Sequence, residues 1–287
     1  MRNILIRISK YLPNPIRVRA VIVYQKIFNR IKYGDPWFPR SICLETSVHC
    51  NRRCPYCPQS VAPTPVGFME WDVFDLALSR MKEIGWTGPV DFNFYNEPTL
   101  DKRLIEMIAR VSRIGALPRV VTNGDRLDES YMDEAIGAGI TFFGVTRHPP
   151  FKDEWDLKMK RLMSNPRYAA HITFGEIFGK PELLSNRAGA VEIPNFIPLT
   201  TCRAPSLGFN ILHNGDVVLC CADYHKTQVM GNIKDDGILE IWENPHFAWL
   251  RKEVAEGRPP LDICSSCFGE ETFASKAKKA AALLKRL

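Results

Sequence analysis

Cysteine is the residue type whose number and spacing in this chain point most directly to chemistry. The 287 residues include nine cysteines, and eight of them fall into two groups. The first group is Cys50, Cys54 and Cys57, and the second is Cys202, Cys220, Cys221, Cys264 and Cys267. No secretory signal precedes them, so we expect a cytoplasmic protein. In that compartment, clustered cysteines hold metal more often than they form disulfides.

The first group has the spacing Cys-x3-Cys-x2-Cys from Cys50 to Cys57. Three thiolates are enough to hold three irons of a cubic 4Fe-4S cluster, which leaves the fourth iron open to an exogenous chelator. A structural zinc site normally closes its coordination with four protein ligands. The spacing therefore favours an open iron cluster, with zinc and His49 as fourth ligand as the alternative.

The second group offers four further thiolates, Cys202, Cys220, Cys264 and Cys267, which would complete a cluster suited to electron transfer. A structural zinc on the same four cysteines is the alternative. Because adjacent residues on a strand point to opposite faces, Cys221 should not share that site with Cys220. We expect its thiol either to pack or to face a substrate, where it could donate a hydrogen atom.

Strands and helices alternate between residues 41 and 146 and position the first group. Hydrophobic periodicity predicts strands at 41–46, 90–95, 119–122 and 141–146, and helices at 71–84, 102–113 and 129–138. This order implies an α/β fold with parallel strands, in a doubly wound sheet or in a complete or partial barrel. The segments that follow the strands should then meet at one ligand site: residues 47–57, 96–98, 123–124 and 147–148.

Shorter elements are predicted for the last third of the chain. Asn214-Gly215, between apolar runs at 209–213 and 217–220, predicts a β-hairpin. Short helices are expected at 238–243 and 245–256, and a helix rich in Ala, Lys and Leu at 273–287. Most of the second cysteine group therefore lies on small elements.

The net charge of +6 comes from the first 32 residues, which contain eight basic residues and no acidic one. Apolar residues recur there at roughly helical spacing, which predicts a basic amphipathic helical arm over residues 1–40. The arm either packs on its own domain or contacts an anionic membrane surface or a partner. Nucleic acid is not an expected partner, because no recognition motif accompanies the basic residues.

The cysteine triplet, with Tyr56 before its third cysteine, resembles the signature of the radical S-adenosylmethionine (radical SAM) superfamily. The resemblance implies a partial (β/α) barrel whose open iron binds S-adenosylmethionine (SAM). Asn96 and Glu97 stand in the segment whose backbone meets the SAM amino group in that family, and Asn123 stands at the ribose-contacting position. Asn96 occupies a place where glycine is usual, a departure that costs backbone freedom.

The family resemblance also implies a reaction and a domain order. One electron cleaves SAM to a 5′-deoxyadenosyl radical, which abstracts a hydrogen atom from the substrate; a reductase such as flavodoxin or ferredoxin is the implied donor. The second cysteine group resembles the Twitch domain, the shortened form of the SPASM domain, and implies an auxiliary 4Fe-4S cluster. We therefore expect a radical SAM core at 41–197 and a Twitch/SPASM-like domain at 198–287.

Further motifs resemble the group of 2-deoxy-scyllo-inosamine dehydrogenases, and this resemblance implies that Tyr95 and Arg187 lie by the substrate. Cys221 and Ala222 replace a phenylalanine and a glutamate that face substrate there, which indicates a different small-molecule substrate. We expect oxidation of a sugar, cyclitol or other polyol to a ketone, or epimerisation if Cys221 returns the hydrogen. The alternatives are a maturase acting on a ribosomally made peptide and a non-catalytic iron-sulfur or zinc module.

Overall fold

The computed structural model describes residues 23, 27–33, 35, 38–65, 67–150, 152–176 and 184–269. The chain divides into two compact units, Met1–Pro39 and Arg40–Leu287. Residues 27–33 are helical, whereas the rest of the predicted arm before residue 23 and the predicted helix at 273–287 lie outside the described residues. No helix in the described ranges is long and apolar enough to cross a membrane.

The first part of the second unit alternates strands and helices as predicted. Its elements are β1 (Ser41–Leu44), α1 (Trp71–Glu83), β2 (Pro89–Asp91), α2 (Leu104–Arg113), β3 (Leu117–Thr122), α3 (Glu129–Gly137), β4 (Phe142–Arg147), α4 (Asp153–Ser164), α5 (Pro166–Ala169) and β5 (Ile172–Glu176). Strand β2 ends four residues earlier than predicted. The side chain of Asn96 accepts a hydrogen bond from the backbone N–H of Phe94 (2.9 Å), and this local turn replaces the strand ladder.

The remaining elements are short. They are α6 (Ala204–Leu207), β6 (Gly208–Ile211), β7 (Asp216–Val218), β8 (Val229–Asn232), α7 (Ile238–Glu243), α8 (Pro245–Ala255) and α9 (Asp262–Phe268). The hairpin at Asn214-Gly215 is confirmed, and Gly215 has the positive φ of 95° that such a turn requires. Strand β7 ends before Cys220, so the Cys220-Cys221 pair lies in a turn rather than on the expected strand.

The eight strands of the described residues form one sheet in the order β5-β4-β3-β2-β1-β6-β7-β8. Strands β1 to β5 are parallel and lie in sequence order, as in the wall of a partial (β/α) barrel. Strand β6 pairs parallel with β1, and β7 and β8 extend the sheet antiparallel. The domain boundary at residue 198 stays a prediction.

The two faces of this sheet differ in polarity because successive side chains of a strand alternate between them. Ile42, Val90 and Val120 are fully buried on the side covered by helices such as α1, whose buried residues recur at helical spacing. The next row, Cys43, Asp91 and Arg119, pairs across β1, β2 and β3. Its members point to the other face. The apolar core thus lies outside the wall, and a polar surface lies inside.

Candidate active site

A cavity of about 320 Å³ opens at the carboxyl ends of the parallel strands. Every predicted site residue other than the four expected ligands of the second group lines it: Cys50, Cys54, Cys57, Tyr56, Tyr95, Asn96, Glu97, Asn123, Arg187 and Cys221. These residues come from five separate segments of the chain. The expectation that strand ends meet at one ligand site agrees with this geometry.

The loop that carries the first cysteine group is tied to its neighbours by polar side chains. Arg52 donates to both carboxylate oxygens of Asp125, at 2.9 and 2.5 Å, and to the backbone oxygen of His148. The amide of Gln59 donates to the backbone oxygens of Val48 (3.0 Å) and Tyr95 (3.2 Å). The loop is therefore attached to the ends of β3 and β4 and to the segment after β2.

The three thiols of the first group are free and close enough to influence one another. Burial raises the pKa of Cys54 to about 11, with a further contribution from the charges of Cys57 and Cys50. Such thiols remain protonated at neutral pH unless a metal replaces the proton. Their common orientation into one cavity, without a disulfide, fits a cluster that takes three cysteines.

Glu97 joins the ends of two strands. It is 3% exposed, and its Oε1 accepts hydrogen bonds from the hydroxyls of Thr99 and Thr122, both at 2.6 Å. Its Oε2 accepts from the backbone N–H of Asn123 at 2.7 Å. Because both oxygens are occupied, this segment presents backbone rather than a free carboxylate to a ligand.

The two asparagines of the site have local structural roles. Asn96 is not among the non-glycine residues of positive φ in the described chain, which are Arg187, Ala188, Asn195 and Lys226. The expected backbone cost of replacing glycine at this position is therefore absent. Asn123 donates from Nδ2 to Oδ1 of Asn51 at 2.9 Å, which adds a contact between β3 and the cysteine loop.

Tyr56 and His148 form a hydrogen-bonded pair through the tyrosine hydroxyl and Nδ1 of the imidazole. Burial raises the pKa of Tyr56 above its ordinary range. Burial, followed by the charge of Arg52, lowers the pKa of His148 to about 4. Both groups are consequently uncharged at neutral pH.

Tyr95, Arg187 and Cys221 lie together in the wall of the cavity. The hydroxyl of Tyr95 donates to the backbone oxygen of Cys221 at 2.8 Å. The guanidinium of Arg187 lies over the Tyr95 ring, 5.8 Å from its centroid. Cys221 is exposed and lines the cavity, while neighbouring Cys220 is buried.

Residues 186–189 form a turn that holds Arg187 in place. Arg187 and Ala188 have φ values of 48° and 55°, a backbone region that non-glycine residues adopt rarely. Asn186 donates from Nδ2 to the backbone oxygen of Ser266 in α9 at 2.8 Å. The backbone of Ala188 is hydrogen-bonded to the sulfur of Cys267. The turn thus connects the cavity with the second cysteine group.

The second cysteine group also forms a set of neighbouring free thiols. Burial, then the charges of Cys202 and Cys267, raise the pKa of Cys264 to about 12. Burial, then Cys221, Cys202 and Cys267, raise the pKa of Cys220. Cys202 and Cys267 therefore lie within electrostatic range of both Cys220 and Cys264, and Cys221 lies within range of Cys202, Cys220 and Cys267.

Several residues of the cavity wall were missed or interpreted differently from the sequence. Cys43, which belongs to neither cysteine group, lines the cavity and lies 3.9 Å from a carboxylate oxygen of Asp91. Asn93, Thr146 and Asn210 also line it and were not singled out. Strand alternation was the available signal for Asn93, because it lies two residues after Asp91 and two before Tyr95. His49, the alternative zinc ligand, is not among the lining residues.

Comparison with protein families gives two matches on this chain. Residues 44–171 match the radical SAM superfamily, and residues 202–268 match SPASM, described as an iron-sulfur cluster-binding domain. The two matched segments contain the first and the second cysteine group, respectively. They imply a SAM-binding 4Fe-4S cluster and an auxiliary cluster, and the iron-sulfur description of the second match favours a cluster over the zinc alternative.

Individual proteins with established names are also similar to this chain. The S-adenosyl-L-methionine-dependent 2-deoxy-scyllo-inosamine dehydrogenase of Niallia circulans is 30% identical over 231 residues, which cover 78% of this chain and 90% of that protein. The tungsten-containing aldehyde ferredoxin oxidoreductase cofactor-modifying protein of Pyrococcus furiosus is 26% identical, and the match covers 72% of this chain and 82% of that protein. Both similarities span most of each protein.

Solved structures support the same fold. The crystal structure of BtrN in complex with AdoMet and 2-DOIA has a TM-score of 0.73 and 29% identity, and the match covers 80% of this chain and 93% of that one. Native anSMEcpe with bound AdoMet has a TM-score of 0.53 at 14% identity, over 87% of this chain and 100% of that one. The second likeness concerns the fold alone.

Proposed function

The chain belongs to the radical SAM superfamily and is an enzyme of that superfamily, and from this premise we propose that it oxidises a hydroxyl-bearing carbon of a sugar, cyclitol or other polyol to a ketone. The similar dehydrogenase acts, by its name, on 2-deoxy-scyllo-inosamine. The observation that carries the proposal is the cavity itself. One space of about 320 Å³ is lined both by the cysteine triplet and by Tyr95, Arg187 and Cys221.

The cysteines divide into two proposed ligand sets. Cys50, Cys54 and Cys57 would hold the cluster that binds SAM, and Cys202, Cys220, Cys264 and Cys267 would hold the auxiliary cluster. When bound, the first cluster and SAM would supply hydrogen-atom abstraction, and an auxiliary cluster would accept one electron from the substrate radical, while the hydroxyl proton of the substrate passes to solvent. The free thiols and their burial fit these assignments.

The other residues of the cavity have binding and orienting roles in this proposal. Backbone of the Asn96-Glu97 segment and of Asn123 would contact SAM, because the Glu97 carboxylate is already occupied by Thr99, Thr122 and Asn123. Tyr56, 8% exposed, covers the space beside the triplet and keeps its proton. Tyr95 and Arg187 would orient the substrate.

Epimerisation is the second candidate, and the position of Cys221 favours it. Its thiol is exposed to the cavity, and no cysteine ligand assignment requires it. In epimerisation the S–H bond of Cys221 breaks and a C–H bond forms on the face opposite to abstraction. The resulting sulfur radical then takes one electron and one proton, the electron coming from a reductase of the flavodoxin or ferredoxin class.

Turnover in D2O with the Cys221→Ala variant separates the two outcomes. We expect ketone formation with no deuterium at the reacting carbon in the wild type, and an unchanged ketone yield in Cys221→Ala. Epimerisation would instead add one deuterium from the exchangeable thiol, and the variant would lose the epimer while still forming 5′-deoxyadenosine. Cys43→Ala is the matched control, because Cys43 lines the same cavity. Product mass and chirality are measured by chromatography with mass spectrometry.

A peptide substrate has weaker support. The PqqA peptide cyclase of Bradyrhizobium diazoefficiens is 31% identical, but over 113 residues that cover only 37% of this chain. A short peptide added to the D2O experiment provides the test. Peptide modification in the absence of any polyol turnover would replace the proposed function.

We also propose an electron donor for this enzyme and a test of membrane contact by the basic arm at residues 1–40. A flavodoxin or ferredoxin would reduce the protein, as the family chemistry requires a one-electron donor. Contact of the basic arm with a membrane surface rests on residues that lie mainly outside the described ranges. Sedimentation with anionic vesicles tests it, and the absence of co-sedimentation would reject it.

A further inference from the structure

The charged groups in the cavity wall are few, and most of them are occupied. Glu97 is the one carboxylate among the lining residues, and both of its oxygens accept hydrogen bonds from protein donors. Arg52 is paired with Asp125. His148 is uncharged at neutral pH because burial lowers its pKa to about 4. Arg52 and His148 therefore offer no free charge to a ligand, and the Glu97 carboxylate is held by protein donors.

Arg187 differs from them because its charge is available. Its contact in the described part of the chain is the ring of Tyr95, 5.8 Å from the guanidinium carbon, and no carboxylate there forms an ion pair with it. The turn at residues 186–189, anchored to Ser266, holds the side chain at the cavity. A planar guanidinium matches the geometry of a carboxylate or a phosphate with two parallel hydrogen bonds.

Arg187 also stands at an opening. It borders the cavity of about 320 Å³ and a second cavity of about 670 Å³, whose lining includes Tyr224, His225 and the carboxylates Asp223 and Asp262. A group bound by Arg187 can therefore continue outward from the reacting part of the molecule. The second cavity is large enough for an anionic group that is part of a larger molecule.

Uncharged polar groups complete the wall. The Oδ1 atom of Asn93 is buried and lacks a hydrogen-bond partner in the described chain. Asn210 makes one long contact of 3.4 Å, from Nδ2 to the backbone oxygen of Gly208. Buried acceptors are normally satisfied, and a ligand hydroxyl that donates to Asn93 would satisfy this one.

We propose that the substrate is a hydroxylated molecule that carries a carboxylate or a phosphate ester. This inference rests on the function proposed above and narrows its substrate class. Arg187 binds the anion, and Asn93 accepts a hydrogen bond from a hydroxyl.

Two other anions compete for the same guanidinium. One is the carboxylate of SAM, and the other is the negative charge of the clusters, because Arg187 lies within electrostatic range of Cys57 and Cys267. A test must therefore measure substrate binding with SAM already in place and both clusters intact. It must also compare ligands that differ only in charge.

Calorimetric titration of the SAM-loaded holoenzyme, without reductant so that no turnover occurs, provides this comparison. The ligands are glucose, glucuronate, glucose 6-phosphate and glucosamine. We expect glucuronate or glucose 6-phosphate to bind at least about tenfold more tightly than glucose, as a charge-assisted pair allows, and glucosamine to gain nothing. Arg187→Gln should abolish the preference and Arg187→Lys should retain part of it. Arg258→Gln, which removes an exposed arginine paired with Glu253, should change neither.

The same titrations identify the competing explanations. Equal affinity for neutral and anionic ligands in the wild type, or weaker SAM binding in Arg187→Gln with the ligand preference unchanged, overturns the inference. Turnover assays judge the proposed function separately. If neutral polyols are oxidised without an anion preference, the inference fails and the function stands. If neither neutral nor anionic polyols are oxidised, the function itself fails.

Discussion

Single residues in the cavity wall are kept in defined protonation states by burial. The hydroxyl of Tyr56 keeps its proton, and the imidazole of His148, its hydrogen-bond partner, remains uncharged. The pair consequently adds no charge beside the cysteine triplet. Arg52, also next to the triplet, is neutralised by Asp125. Charge at this end of the cavity is thus left to the cluster and SAM.

The lowered pKa of His148 makes a prediction about stability and pH. The unfolded chain, with an ordinary histidine pKa of 6.5, binds more protons than the folded chain between pH 6.5 and about pH 4. We therefore expect the free energy of unfolding of the metal-free protein to fall as the pH decreases through this range. Above pH 6.5 the imidazole is uncharged in both the folded and the unfolded chain, so the free energy of unfolding no longer depends on pH through His148.

Urea unfolding at several pH values measures this dependence. His148→Gln should make the free energy of unfolding less sensitive to pH below 6.5, because the variant has no imidazole to protonate. His246→Gln, at an exposed position, is the matched control and should behave as the wild type. Identical pH dependence in His148→Gln and wild type would contradict the assignment.

Two irregular segments, rather than the regular strands and helices, position the cysteine triplet and Arg187. The loop after β1 presents the cysteine triplet and is held by Arg52, Gln59 and Asn51. The turn at residues 186–189 presents Arg187 and is held by α9. Because α9 carries Cys264 and Cys267, the substrate side of the cavity and the second cysteine group share one support.

Removal of the anchor of this turn should affect the second cysteine group first. Asn186→Ala loses the hydrogen bond to the backbone oxygen of Ser266, which contributes about 1 kcal/mol. We expect iron content to fall from about eight toward about four per chain, because only the second set loses support. Asn165→Ala, which removes a cap at α5, is the control and should lower stability without loss of iron.

Anaerobic purification followed by iron and sulfide analysis measures this effect. The spectroscopic signal of the cluster on the first cysteine group should remain. Equal loss of iron from both sites would mean that Asn186 supports the whole fold rather than the second group.

At the scale of the whole molecule, strands of one sheet lead to both cysteine groups. Strand β1, which precedes the first group, pairs with β2 on one side and with β6 on the other. Strand β7, which pairs with β6, leads to Cys220. The segment that leads to Cys220 thus continues the core sheet. We expect this shared sheet to fix the distance between the two cysteine groups.

The iron, sulfide and zinc content of the protein tests whether each cysteine group holds a cluster. We expect about eight irons and about eight sulfides per chain and no stoichiometric zinc, as two cubic clusters require. Cys54→Ser should lose about four irons, and Cys264→Ser the other four, because each variant removes one ligand of one set. Cys43→Ser, the control, should retain all of them. About four irons with one zinc would make the second group a structural zinc site and remove the electron acceptor that oxidation needs.

Local patterns in the sequence determined the alternation of strands and helices, the hairpin at Asn214-Gly215 and the two cysteine groups. Hydrophobic period, turn residues and ligand spacing are properties of short segments, so they can be recognised without a structure. The ends of elements were predicted less well: β2 stops at Asp91 because the Asn96 side chain competes with the strand ladder.

Only the tertiary structure decided which distant residues face one another. It gave the strand order of the sheet, because strand order is a matter of pairing between segments far apart in the chain. It assigned the Glu97 carboxylate to protein donors and left the Arg187 guanidinium without a carboxylate in the described chain. Occupied and available charges depend on contacts between separate segments, and no local pattern contains that information.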